Sequence, residues 1–296
     1  MTKFDFIGRK YIWFAFSGAV IAIGIAALII KGLTFGIEFK GGTMFEVAFA
    51  NNVTVSQVRM AVRPLGLGDS VIQQAGGKRR MILRTKQLAI GKQQEVKDAL
   101  SKIGAKDFTI QGVGASWGRR LTDGTLVALG VSLAVVMTFI ALRFEAKMGA
   151  AAVIALVHDV VIALGIYALV GREVTTATVA AFLTILGYSL YDTIVVFDRV
   201  RENAPGLRNE TYSGMVNHSI NQSLRRSINT SVTSIVPVVT LLIFGGETLK
   251  DFAFALLIGL ASGAYSSVFI ASPILAMWKE TEPKYQSLRA KLAKAS

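Results

Sequence analysis

Residues 11–30 read YIWFAFSGAVIAIGIAALII, twenty consecutive residues without a charge. A helix rises about 1.5 Å per residue, so this stretch is long enough to cross the roughly 30 Å hydrocarbon core of a bilayer. Lys31-Gly32 follows the stretch directly, and no small-residue cleavage pattern precedes them. We therefore interpret the stretch as a membrane span and not as a cleavable signal peptide.

Five more apolar stretches follow after a long polar interval. They lie near residues 125–142, 148–170, 177–197, 227–244 and 252–277. Hydrophobic residues make up 52% of the chain and charged residues 17%, which argues against an ordinary soluble domain. The sequence thus predicts a polytopic α-helical membrane protein with six transmembrane helices, and a loop over residues 198–226 between the fourth and fifth.

The formal net charge of +13 raises nucleic-acid binding as a function class. The basic residues, however, flank the apolar spans and gather on one side of the predicted membrane. That side carries Lys3, Arg9, Lys10, Arg143, Lys147, Arg199, Arg201, Arg208, Arg225, Arg226, Lys279, Lys284, Arg289, Lys291 and Lys294. The short loops opposite hold only Arg172 and Lys250. The excess of Lys and Arg predicts that both termini are cytoplasmic.

Residues 31–124 form the polar interval and predict a soluble insert. Alternating residues at 43–50, 70–75, 80–85 and 108–114 indicate strands, and 54–65 and 91–103 indicate helices. Gly76-Gly77 is typical of a hairpin, and Thr54 is a candidate N-cap. The order β-α-β-β-α-β is that of the ferredoxin-like motif. Because long domains cross the membrane largely regardless of charge, we expect the insert to face outward.

These patterns predict four regions. Residues 1–30 form the cytoplasmic amino terminus and first helix, 31–124 the exported domain, 125–278 helices two to six, and 279–296 a basic cytoplasmic tail. The chain has no Cys and two His, so we expect no disulfide, no metal site and no cofactor. Since the insert also lacks a nucleophile constellation and a phosphate loop, we expect a transport or interaction role and not an enzyme.

Three ionisable residues lie within predicted spans: His158, Asp159 and Asp192. Such groups are costly to bury in lipid and are functional candidates by default. A lone carboxylate in hydrocarbon can exchange a proton near neutral pH, and a mobile Arg beside it would switch its proton affinity. The alternatives are a structural clasp between spans for Asp192 and a hydrogen-bonded core histidine for His158. Asp198, Arg199 and Arg225 also fit solvated charges at the end of a span.

A stripe of small residues follows one face of the last span. Ala255, Gly259 and Gly263 recur at four-residue spacing. Because small residues allow helices to approach closely in lipid, we interpret the stripe as a helix contact, within the chain or with a partner.

Five segments resemble the SecD/SecF family, in the same order along nearly the whole chain. They are residues 35–43 (FGIEFKGGT, with Gly36, Glu38, Gly41 and Gly42), 158–160 (HDV), 187–203 (GYSLYDTIVVFDRVREN), 221–231 (NQSLRRSINTS) and 257–267 (LIGLASGAYSS). The segment at 187–203 is the most specific of the five. Position 191, often Asn in the family, is Tyr here.

The resemblance implies a SecF-type subunit, half of a transporter of the resistance-nodulation-division superfamily. Such a subunit works with SecD in the bacterial inner membrane and uses the proton or sodium gradient to assist late translocation of unfolded proteins through SecYEG. YajC and YidC are further candidate partners. Asp192 and Arg226 match the positions of the family's ion relay. We add Asp159 to that relay, with His158 and Asp198 as accessory candidates.

Two other functions remain open at this stage. The chain could be a scaffold that braces SecD and the channel without ion flux, or a small-molecule efflux subunit of the same superfamily. An insert of about ninety residues offers little room for the porter domains of an efflux pump, but the sequence does not separate coupling from bracing.

Overall fold

The computed structural model describes residues 4–75 and 79–295. These residues form two compact units. The membrane unit contains the chain up to Thr34, Leu129–Glu173, and the chain from Ala177 onward. The insert unit contains Phe35–Ala128 and Val174–Thr176.

Helices and strands alternate in the insert unit, and the rest of the described chain is mainly helical. In chain order the elements are α1 (Lys10–Lys31), β1 (Thr34–Phe35), α2 (Ile37–Lys40), β2 (Gly42–Phe49), α3 (Val55–Val62), β3 (Val71–Gln74), β4 (Arg80–Thr85), α4 (Ile90–Ser101), β5 (Ala105–Val113), α5 (Ala115–Arg143), α6 (Ala146–Val170), β6 (Glu173–Val174), α7 (Thr176–Asn203), α8 (Tyr212–Phe244), α9 (Glu247–Ser266), α10 (Ser272–Glu280) and α11 (Pro283–Ala295).

Six stretches of helix in the described chain are long and apolar enough to cross a membrane. The predicted number of six apolar helices is confirmed, but several of these helices extend beyond the predicted apolar stretches. The interval 198–226 is not a loop, because α7 runs to Asn203 and α8 begins at Tyr212. The second span helix begins at Ala115, about ten residues before the apolar stretch. Hydropathy detects the part of a helix that suits lipid, and the helix itself continues where polar residues support it.

Local contacts explain where α7 and α8 end and begin. The polar end of α7 is supported by an ion pair between Arg199 and Glu202, one turn apart, at 2.7 Å. Pro205 follows in a short 3₁₀ turn. The next helix is capped by Thr211, whose side chain accepts a hydrogen bond from the backbone N–H of Gly214 at 3.1 Å.

The last span is interrupted by a π-helical segment. Ser267–Ala271 lies between α9 and α10 and forms this five-residue wide turn. Pro273 is the second residue of α10; it lacks a backbone N–H and its ring would clash with the carbonyl four residues earlier. Ser272 Oγ donates to the carbonyl of Ser267 at 2.7 Å and supports the widened turn.

The core of the membrane unit is built on α6 and α7. Leu156 on α6 and Val196 and Phe197 on α7 are buried in one cluster with Met215 and Leu275 from the helices that follow. The faces of α6 and α7 that carry the ionisable residues are therefore held by protein on several sides.

The insert unit contains a four-stranded antiparallel sheet in the order β3-β4-β2-β5. Its helix and strand order is the one that the sequence predicts. Phe45, Val47, Met81 and Leu83 of the central strands are buried together with Leu100 of α4, because alternate strand residues face the helices.

The amino-terminal cap of α3 confirms the interpretation of Thr54. Its side chain accepts from the N–H of Gln57, and Gln57 reaches back to the backbone of Thr54, which completes a capping box. The hairpin predicted at Gly76-Gly77 lies outside the described residues.

Candidate ion-coupling site

Asp159 is a fully buried carboxylate on α6, with 0% of its surface exposed. Three serine hydroxyls from two other helices donate to it. Ser189 on α7 lies 2.6 Å away, and Ser262 and Ser266 on α9 lie at 2.6 and 2.7 Å. Each such bond stabilises the charged form of the carboxylate. Asp159 thus joins α6, α7 and α9.

His158 lies beside this carboxylate. Its Nδ1 is 2.9 Å from Asp159 Oδ1, and its ring stacks on Tyr265 of α9 with centroids 6.1 Å apart. Its Nε2 has no hydrogen-bond partner among the residues described. The structure therefore places His158 at the Asp159 cluster, as a buried histidine bonded on one side only.

Asp192 lies on α7, one helical turn beyond Ser189, and 7% of its surface is exposed. Its Oδ2 accepts one long hydrogen bond, from Ser231 Oγ on α8 at 3.4 Å. Its Oδ1 is buried and, within the described part of the chain, has no partner. A small cavity of about 10 Å³ adjoins the carboxylate. Asp192 therefore has free space beside it and one carboxylate oxygen without a partner among the described residues.

Arg226 does not form an ion pair with Asp192 among the described residues. Its Nη2 instead donates to the hydroxyl of Tyr191 at 3.3 Å. The structure places Arg226 about four turns inside α8, because this helix begins at Tyr212 and not at the apolar stretch. The position at which the chain departs from the family motif therefore provides the contact of Arg226, one residue from Asp192.

Asp198 belongs to a surface ion-pair network. Its carboxylate contacts Arg143 at 2.6 Å and Arg201 at 3.7 Å, and all three side chains are partly exposed. This placement agrees with the solvated-charge interpretation. It does not bring Asp198 into the surroundings of Asp159 or Asp192.

Gly259 and Gly263 on α9 face α7. A Cβ atom on Gly259 would overlap the side chain of Ile185, and one on Gly263 would lie 2.9 Å from the Cα of Ser189. These two glycines therefore serve a contact within the chain. The contact also sets the position of Ser189 against Asp159.

The glycine-rich motif lies in the insert unit. Gly41 and Gly42 have φ angles of 74° and 147°, and a side chain on Gly42 would meet the carbonyl of Thr85. Glu38 accepts a hydrogen bond from the backbone N–H of Thr176 at 2.8 Å. Gly36 donates its N–H to the carbonyl of Val174 at 3.0 Å. This motif holds backbone in place and carries no chemistry of its own in the structure.

Sequence reasoning missed the serines. Ser189, Ser262 and Ser266 decide the surroundings of Asp159, and Ser231 is the one hydrogen-bonded neighbour of Asp192 in the described part of the chain. The spacing of Ser262 and Ser266, four residues apart, is a usable signal, because it places both hydroxyls on one helix face. Over the described residues, no group of three His, Asp or Glu side chains is arranged to hold a metal ion.

Two family models match the chain. The model described as "Protein export membrane protein SecD/SecF, C-terminal" covers residues 93–281, and the "SecD/SecF GG Motif" covers residues 26–53. The second match includes Gly41 and Gly42.

Several curated relatives are similar over most of the chain. The protein translocase subunit SecF of Streptomyces coelicolor is 39% identical over 98% of this chain and 80% of its own length. The SecF of Magnetococcus marinus is 37% identical over 93% and 91%. The crystal structure of SecDF from Thermus thermophilus superposes with a TM-score of 0.87 at 34% identity. That match covers 94% of this chain and 39% of the SecDF chain, about two fifths of its length.

Proposed function

Because this chain belongs to the SecD/SecF family, we propose that it is an ion-coupled subunit of the Sec machinery. In this proposal it works with a SecD-type partner and uses the proton or sodium gradient to assist late translocation of unfolded proteins through SecYEG. Its relatives are named protein translocase subunits, which favours protein export over small-molecule efflux. The match to part of the Thermus SecDF chain supports a SecD-type partner.

One observation carries the proposal: Asp192 is a buried carboxylate in a membrane span with one long hydrogen bond and an open oxygen. A carboxylate without close donors is not locked in its charged form and can take up and release a proton. Arg226 donates a hydrogen bond to Tyr191, the residue that precedes Asp192 on α7. Movement of this guanidinium toward Asp192 would favour the charged form, so the two residues together can link proton exchange to a change in shape.

The proposal extends to the arrangement of the chain in the membrane. Both termini lie in the cytoplasm of a bacterial cell, the chain crosses the inner membrane six times, and the insert unit is an exported ferredoxin-like domain. The antiparallel sheet order β3-β4-β2-β5 supports the ferredoxin-like assignment. YajC and YidC stay candidate partners by family resemblance.

Single cysteines test this orientation cleanly, because the natural chain has none. Lys102→Cys in the insert unit should react with a membrane-impermeant maleimide from outside intact spheroplasts. Ser287→Cys in α11 should react only after the cells are opened. Labelling of both from the same side would contradict the proposed topology.

The function itself is tested by Asp192→Asn, which preserves shape and removes titration. We expect loss of gradient-dependent export in membrane vesicles, with an unchanged yield of the complex with SecD. Glu202→Gln, an exposed carboxylate at the end of the same helix, is the matched control and should export normally. Full export by Asp192→Asn would contradict ion coupling at this residue. Parallel loss of export and complex would favour the scaffold alternative.

A further inference from the structure

A row of four serines runs along one face of α8 and ends at Asp192. Ser219, Ser223, Ser227 and Ser231 follow each other at four-residue intervals, so their side chains lie above one another on the helix. The last, Ser231, donates to Asp192 Oδ2. The first lies near the start of α8, where Asn203 at the end of α7 donates to Ser219 Oγ at 2.8 Å.

Ser219, Ser223 and Ser227 are buried, which is unusual for side chains near the polar end of a span. They are 0%, 6% and 4% exposed. Ser219 and Ser223 donate to carbonyls of the preceding turn, at 2.8 and 2.9 Å. A hydroxyl that donates still has lone pairs with which it accepts. Each serine can therefore be a member of a hydrogen-bonded path.

Two polar atoms on this route, one before and one after Ser231, lack partners among the described residues. Ser227 Oγ and Asp192 Oδ1 are buried and, across the described residues, have no hydrogen-bond partner. Burying a polar group without a partner is costly, so such groups are usually satisfied by protein or water. Their location on either side of Ser231 indicates that the ligand of this part of the row is water.

Space for water exists at both positions. The cavity of about 10 Å³ beside Asp192 is lined by Ser231 and has roughly the volume that one water needs. Ser227 and Ser231 also line a larger, open groove of about 900 Å³, which is mostly apolar but includes the charged Asp5 and Arg9. Residues four apart on a helix are separated by about 5–6 Å at Cβ, too far for direct hydroxyl contact but suited to one bridging water.

We propose that the serine row Ser219–Ser223–Ser227–Ser231 is a hydroxyl-and-water path that carries protons between the cytoplasmic side and Asp192. This inference rests on the proposed function, since it takes Asp192 as the proton-exchanging group and the α7–α8 connection as cytoplasmic. In each transfer, a hydroxyl accepts a proton from one neighbour and releases its own to the next, so no net charge stays on the serine.

The alternative is a packing role, in which serines occur here because they are small and let α8 pack closely on its neighbours. The two roles differ in their response to Ser→Ala, because alanine preserves small volume and removes the hydroxyl. A packing role tolerates Ser227→Ala, whereas a proton path does not.

The test measures proton uptake in proteoliposomes that contain the chain in complex with its SecD partner, using an enclosed pH-sensitive dye. We expect Ser227→Ala to slow uptake about tenfold, as when one ordinary hydrogen bond is lost from the rate-limiting step. Thr233→Ala is the matched control, since its hydroxyl lies on the same helix outside the row and bonds to the carbonyl of Asn229. It should leave the rate unchanged.

A second readout separates a path from a structural effect. The infrared C=O band of protonated Asp192 should keep its position and its equilibrium intensity in Ser227→Ala, because the serine changes the rate of exchange and not the site. A shifted band, or a lower yield of complex, would assign Ser227 to packing and overturn the proposal.

The two proposals fail in different ways. If Asp192→Asn abolishes uptake and Ser227→Ala is as fast as the unchanged protein, the serine row is wrong and ion coupling at Asp192 stands. If Asp192→Asn takes up protons normally, the proposed function fails first and the row has no site to serve.

Discussion

Asp159 and Asp192 are the same residue type on adjacent buried helices, yet their surroundings are opposite. Asp159 accepts from three serine hydroxyls at 2.6–2.7 Å and lies beside an imidazole nitrogen at 2.9 Å. Among the residues that the structure describes, Asp192 accepts one bond, at 3.4 Å, and its other oxygen has no partner. A carboxylate that accepts from side chains of several helices ties those helices together. One with an open oxygen is suited to exchange, so hydrogen-bond number separates the two roles that burial alone does not.

The largest expected difference between Asp159 and Asp192 is in how much their substitution lowers the free energy of unfolding. Asp159→Asn should lower the free energy of unfolding by about 3 kcal/mol or more, because hydrogen bonds to a charged group contribute about 1.5–3 kcal/mol each. Asp192→Asn should cost less than about 1 kcal/mol. Thermal unfolding of the purified chain in detergent measures both. Equal losses would remove the distinction between a structural and an exchanging carboxylate.

A second prediction reaches the Asp159 cluster through its packing. Gly263→Leu should destabilise the chain by about 2 kcal/mol, because the new side chain pushes α9 away from Ser189 and overpacking costs about 1–3 kcal/mol. Gly187→Leu is the control, since no described residue lies within 4 Å of a Cβ added there. The same unfolding assay applies. If both variants unfold alike, the α7–α9 contact does not position Ser189.

The contact of Arg226 gives a smaller effect on stability. Tyr191→Phe removes a single 3.3 Å hydrogen bond between exposed side chains, so unfolding should change by less than about 1 kcal/mol. Gradient-driven export should nonetheless fall by up to about tenfold, because Arg226 loses its contact with the residue that precedes Asp192 on α7. Tyr188→Phe, on the same helix, is the control. Unchanged export in Tyr191→Phe would separate Arg226 from Asp192.

The smallest effect belongs to a carboxylate outside the spans, Glu282. Partial burial raises its pKa, but the hydrogen bond from Lys147 and the charge of Lys279 outweigh burial and lower the pKa below the ordinary value. Its contribution to stability is therefore full above the ordinary Glu pKa of about 4.3 and is lost as pH falls below that value.

The contribution of Glu282 to stability at acid pH can be tested by removing its carboxylate. Glu282→Gln should abolish the part of the acid-induced loss of stability that protonation of Glu282 causes. We expect this part to be well under about 1 kcal/mol, as for other partly exposed ion pairs. The measurement is the unfolding temperature between pH 6 and pH 3 with and without the substitution. An identical pH dependence in the two proteins would contradict the assignment of this loss to Glu282.

The elements that followed from sequence were those set by local chemistry. The capping box at Thr54 and Gln57, the insert's order of helices and strands, and the existence of six spans all depend on neighbours within a few residues. The end of α7 did not follow, because ion pairs such as Arg199–Glu202 extend a helix beyond its apolar part. A hydropathy profile does not include the effect of such pairs.

The candidate site was predictable only in its charged members. Asp159 and Asp192 are visible as carboxylates in apolar stretches. The serines that distinguish them come from α7, α8 and α9, and their convergence is a tertiary fact. Similarly, no local pattern indicates that Arg226 contacts Tyr191, since the two lie on different helices.

The π-helical turn at Ser267–Ala271 rotates the second part of the last span relative to the first, so that each part faces its own contact. Upstream, α9 must point Ser262 and Ser266 at Asp159. Downstream, α10 must direct Lys279 to Glu145, which it reaches at 2.6 Å. A wide turn adds the equivalent of one residue and rotates everything after it by about 100°, the angle that one residue occupies in an α-helix. The turn therefore sets the rotational offset between the part of the span that contacts Asp159 and the part that contacts Glu145.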